Sequence, residues 1–127
     1  MTLLSAEGRD DVLATIARAI EHEPEPDEIL RQAVVVLYEW TIGVRSVAVA
    51  FVEDGALAPG PVAGDAIVGT PAITIPVLYE RRPVAELWID SEVDADDRDR
   101  AFLHRISQLL SPYCLVGWDT GGEAWEP

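Results

Sequence analysis

Glu86, Trp88 and Asp90, spaced by two, are the residues of this 127-residue sequence best suited to chemistry. Side chains alternate along a strand, so these three share one face while Ala85, Leu87 and Ile89 share the other. An indole flanked by carboxylates suits a cation or the amino group of a small metabolite. The preceding apolar run separates into Ile73, Ile75, Val77 and Tyr79 on one side and Thr74, Pro76 and Leu78 on the other. Tyr79 or Thr74 therefore borders the same cleft, and register decides which. The candidate ligand contacts are Glu86, Trp88, Asp90, Tyr79 and Thr74. The competing reading leaves both carboxylates in water and covers Trp88 with residues 64–70 or with the C-terminal tail.

Other chemistry is thinly represented. Cys114 is the single cysteine, which excludes an internal disulfide and a cysteine-based zinc cluster. It lies between apolar neighbours with no cation nearby to activate a thiolate, so a small buried core residue is the expectation. His22 and His104 have no second His or Cys at ligand spacing. The acids Asp94, Asp96, Asp97 and Asp99 lack the glycine and closing glutamate of a calcium loop and read as caps and first-turn acids of a helix. There is no P-loop, dinucleotide glycine pattern or Gly-x-Ser-x-Gly. The sequence predicts no catalytic residue, no metal site and no cofactor.

Against 23 acidic residues stand nine basic ones, all arginine, for a net charge of −14. Phosphate backbones and anionic lipids need clustered cations, so nucleic acid and membrane are excluded as partners. Acidity without lysine has two readings: carboxylates solvating a salt-adapted protein, or arginine simply encoded in place of lysine. No apolar run reaches membrane-spanning length, and residues 1–5 do not resemble a secretory signal, so a cytoplasmic location is expected. At this length one domain, residues 1–127, buries roughly 65% of its unfolded surface.

The elements that must position the candidate site follow from periodicity. Val12, Leu13, Ile16, Ala17 and Ile20 recur every three to four residues behind the cap Ser5, predicting a helix over 6–21. Pro24 and Pro26 break it. Asp27 opens a second helix, with Ile29, Leu30, Ala33, Val34, Leu37 and Trp40 in its stripe and a stop at Gly43. Residues 46–52 then form a central strand covered on both faces, and Glu53-Asp54-Gly55 turns it into a second strand over 56–63. Strands at 72–79 and 83–90 follow, and Asp94 or Asp96 caps a third helix that Pro112 ends. Trp118 and Trp125 mark residues 119–127 as a tail after a core spanning 27–118. The fold class is α+β, an antiparallel sheet of about four to six strands with the terminal helices on one face.

Residues 57–64, with Gly60-Pro61 near their end, together with Ile75-Pro76-Val77-Leu78 and the stretch 82–91, resemble the second strand and closing hairpin of GAF domains. Within that superfamily Leu87-Trp88-Ile89-Asp90-Ser91 is similar to the Leu-Asp-Ile-Asp-Ser strand end of the free methionine-(R)-sulfoxide reductases. The resemblance implies a GAF/PAS-like sheet with a ligand pocket on the face away from the helices. It also implies thiols after the second strand, where residues 64–70 are short and hold no cysteine, and a second acid where Trp88 stands. The chain is accordingly expected to be a GAF-like sensory, ligand-binding or interaction module and not an enzyme. A residual methionine sulfoxide reductase-like enzyme and a purely structural dimerisation module are the alternatives. Expected partners are a small-molecule metabolite and a second copy in a homodimer, through the terminal helices or the open sheet face.

Overall fold

Ser5 accepts the Gly8 N–H at 3.0 Å and opens α1, Ala6–His22. Val12, Ile16 and Ala19 form its buried stripe, Ala19 standing where Ala17 was expected. The computed structural model describes residues 3–67 and 69–115. α2, Pro26–Trp40, begins one residue before Asp27, because Pro26 occupies a first-turn position where its missing N–H costs no helical bond. Four strands follow: β1 Val44–Glu53, β2 Ala56–Gly64, β3 Ile73–Tyr79 and β4 Arg82–Ser91. α3, Asp97–Leu110, closes the order, and Pro112 falls in the 3-10 turn Ser111–Leu115 that succeeds it. Trp118 and Trp125, which mark the expected tail, lie outside the described residues.

The strands form one antiparallel sheet in the order β2-β1-β4-β3. Both hairpins turn on two consecutive residues of positive φ, Asp54 and Gly55 in one and Glu80 and Arg81 in the other, the geometry that matches strand twist. Gly60 sits where β1 and β2 slip register; a Cβ there would lie 2.5 Å from the Val49 carbonyl oxygen and 2.7 Å from the Phe51 ring. That close approach is the physical content of the Gly-Pro motif. Pro59 and Pro61 on β2 and Pro76 on β3 stand on the two edge strands, where proline is tolerated.

α2 lies on β1 and β2, α3 on β3, and α1 packs on α2. The core is built from Val47, Val49, Leu87, Ile89, Ile73, Ile75 and Val77 of the sheet against Leu30, Val34 and Leu37 of α2 and Leu103, Ile106 and Leu110 of α3. The alternate residues of the strands form the outer face.

A buried carboxylate ties the chain start to α3. Asp96 accepts the Asp99 N–H at 2.8 Å and Asp99 accepts the Asp96 N–H at 3.1 Å, a reciprocal capping box. Asp99, fully buried, also accepts from Leu3 N at 2.9 Å and Leu4 N at 3.4 Å, which seats both leucines in the core. The two acids are thus capping groups, and their oxygens are committed to backbone N–H donors. The Asp99 N–H holds the Asp96 carboxyl below its ordinary 3.8. A lowered folded-state value means that this stabilisation is complete above pH 3.8 and is lost as pH falls below it.

Replacing Asp99 by Ala strands three backbone donors and is expected to cost about 2–4 kcal/mol. Urea unfolding measures it, and a loss below about 1 kcal/mol would contradict this role.

Candidate functional site

Because Ala85, Leu87 and Ile89 are wholly buried against the helices, Glu86, Trp88 and Asp90 are turned to the outer face. β1 pairs with β4 as Ala50↔Glu86, Ala48↔Trp88 and Ser46↔Asp90. On the far side, β3 places Thr74 opposite Trp88 and Pro76 opposite Glu86. Register therefore brings Thr74 into the row. Tyr79 is corrected: its strand alternation puts it with Ile75 and Val77, where it packs against the core on the helix side.

Trp88 is half-buried, and its Nε1–H donates to Glu86 Oε1 at 2.8 Å. This bond joins side chains two residues apart on one strand and orients both. Ala48 and Ala50, the facing residues of β1, are only 8% and 2% exposed, so the centre of the outer face is a floor of small side chains beside a large indole. The margins are apolar and open: Val62 on β2 and Leu78 on β3 are 48% and 50% exposed.

Asp90 has a partner that alternation alone conceals. Arg45 donates from Nε and Nη2 to the two Asp90 oxygens at 3.3 and 3.2 Å, and its Nη1 lies 3.6 Å from Glu92 Oε2. Strict alternation would put Arg45 with Val47 on the helix side. A bulge between Val44 and Ser46 turns it outward. The Asp90 carboxylate raises the Arg45 guanidinium above its ordinary value, and Glu92 adds to the effect. No sequence signal announces a one-residue bulge, so Arg45 and its neighbour Ser46 escaped the list of candidates. The outer face therefore carries one carboxylate bound to an indole, one bound to a guanidinium, and the Thr74 hydroxyl. It offers anchorage for an ammonium or cation, with an arginine available to an acceptor.

Cys114 lies on the other side of the sheet, wholly buried in the core formed by α2, α3 and the strands. Burial pushes its thiol up to about 12. Among the described residues no group of three or more His, Cys, Asp or Glu side chains is placed to hold a metal ion.

With four antiparallel strands, helices on one face and a polar, aromatic opposite face, the molecule compares closely with solved structures. The fRMsr of Staphylococcus aureus in complex with its substrate aligns over 90% of this chain and 99% of its own, with a TM-score of 0.72 and 15% identity. The fold is GAF-like. The GAF domain of a phosphoenolpyruvate-protein phosphotransferase from Coxiella burnetii aligns over 92% of this chain and 98% of its own, with a TM-score of 0.73 and 13% identity. The free methionine-R-sulfoxide reductase of Neisseria meningitidis, also in complex with its substrate, aligns over 94% and 97%, with a TM-score of 0.72 and 16% identity. No protein-family model and no curated protein matches the sequence.

These comparisons correct one expectation. The chain was expected not to be an enzyme, yet the GAF-like fold that it shares over nine-tenths of its length with the reductases is one that supports catalysis on a bound substrate. No helix among the described residues is long and apolar enough to cross a membrane.

Two outcomes follow. In the folded protein Cys114 stays unmodified by a thiol reagent at pH 8 and reacts fully once denatured; rapid labelling of the native chain would show an accessible thiol. Asp90→Asn, which discharges an exposed pair, shifts the thermal midpoint by no more than about 2 °C.

Proposed function

We propose that this GAF-like domain binds a small amine-bearing metabolite on the outer face of its sheet. Trp88 is the platform, Glu86 and Asp90 are the partners of the ammonium, and Thr74 borders the ligand. The observation that carries this reading is the 2.8 Å bond from the Trp88 indole to Glu86, which holds an aromatic ring and a carboxylate together on the face opposite the helices. An ammonium placed there gains cation–π attraction and a charge-assisted hydrogen bond. The −14 charge further favours cationic groups over anionic ones.

The fold favours a second reading, in which the bound metabolite is a sulfoxide and is reduced. In that chemistry two thiols give up an electron pair and become a disulfide, while the sulfoxide oxygen leaves as water. Cys114 is the one thiol in the chain, so an external thiol must supply at least the second. Its place in the core, under the sheet, means that the sulfoxide would have to be reached from the helix side or reduced by external thiols alone.

We further propose a cytoplasmic homodimer. Exposed Leu57, Val62 and Leu78 on the sheet support self-association, and a single, buried, free cysteine suits a reducing compartment. Sedimentation that finds only monomer at micromolar concentration removes the dimer.

Free methionine-R-sulfoxide, chosen because the reductases of like fold act on it, is the first probe. Calorimetric titration is expected to show binding that Trp88→Ala and Asp90→Asn each weaken about tenfold. Equal binding by these variants overturns the site. Turnover with dithiothreitol supports the second reading, and turnover that survives Cys114→Ser assigns both thiols to the external reductant.

A further inference from the structure

We infer that the Ser46 hydroxyl is a ligand-contacting group of the outer face, donating a hydrogen bond to an acceptor atom of the bound metabolite; this rests on the reading that the outer face binds a ligand. Ser46 stands on β1 between Gly64 of β2 and Asp90 of β4. It immediately follows Arg45 in the bulge that turns the guanidinium toward Asp90. The side chain is fully buried, and among the described residues its Oγ is the buried side-chain polar atom without a hydrogen-bond partner.

Comparison within the molecule makes this hydroxyl unusual. The other buried serines all reach a carbonyl: Ser91 donates to Val93 O at 2.8 Å, Ser107 to His104 O at 2.7 Å and Ser111 to Gln108 O at 3.0 Å. On the same face of β1 the following positions are Ala48 and Ala50, so a methyl group is what this row otherwise carries. A desolvated hydroxyl without a partner is destabilising, and alanine at position 46 avoids that cost. Packing therefore gives no reason for an oxygen here, whereas a ligand acceptor does.

The neighbours fit that role. The Arg45–Asp90 pair beside Ser46 is exposed, at 50% for the arginine side chain, and such pairs open readily. When it opens, the Asp90 carboxylate is free for an ammonium and Arg45 for an acceptor; because Ser46 is fully buried, ligand entry must also uncover its Oγ. One side of the site then takes the positive end of the metabolite and the other its hydrogen-bond acceptor.

The test compares the full chain with Ser46→Ala, using differential scanning calorimetry and titration with free methionine-R-sulfoxide. The variant is expected to melt about 3–6 °C higher and to bind about fivefold or more weakly, opposite signs that a merely structural serine does not produce. A lower melting temperature overturns the inference, because the hydroxyl then has a structural partner such as a trapped water. Unchanged affinity overturns it as well. If the unaltered chain itself fails to bind the probe, the ligand reading of the outer face fails and takes the role of Ser46 with it. Binding by both forms with equal strength removes Ser46 alone.

Discussion

The antiparallel pairing of β1 with β4 is the interaction on which the rest of the molecule depends. It runs from Val44↔Ser91 to Phe51↔Ala85 and joins what would otherwise be two separate hairpins. Two-stranded hairpins alone are marginal in water, whereas four strands with a buried face support a core. The same pairing sets both faces at once. Val47 and Val49 meet Leu87 and Ile89 on the helix side, while Ser46, Ala48 and Ala50 lie beside Asp90, Trp88 and Glu86 on the other. A slip by one residue would send the aliphatic set into water and the two carboxylates into the core. Site and stability are therefore coupled through a single register.

The acidity of the chain divides into distinct physical roles once the acids are placed. Asp99 is inside, where backbone N–H groups in place of a cation satisfy its oxygens and tether Leu3 and Leu4 to α3. Asp96 completes the cap. Glu28 is held below its ordinary range by Arg31 and Gln32 on the exposed side of α2. Glu86 and Asp90, by contrast, are only partly buried and are bound by the Trp88 indole and the Arg45 guanidinium.

Reductases and a phosphotransferase GAF domain share this arrangement of strands and helices at 13 to 16% identity, so the fold is one that both kinds of protein use. In this chain the outer face carries an indole–carboxylate pair, a guanidinium–carboxylate pair and the Thr74 hydroxyl, while the thiol lies beneath the sheet.

Helix and strand order was legible in the sequence because burial leaves a period: Ile29, Leu30, Ala33, Val34 and Leu37 at helical spacing, Leu87 and Ile89 at strand spacing. Facing of Glu86, Trp88 and Asp90 was legible for the same reason, and the caps at Ser5 and Asp96 are local devices that their own neighbours reveal. Thr74 and Tyr79 could not be separated, because strand register is a property of two chains of residues and not of one. The bulge that delivers Arg45 to Asp90, the depth at which Asp99 meets Leu3 and the isolation of the Ser46 hydroxyl were likewise invisible. By itself the sequence determined the elements, their faces and the absence of a second thiol, since these depend on residue type and periodicity. Tertiary structure alone decided which polar groups meet and which is left without a partner, since those contacts join residues up to 96 positions apart.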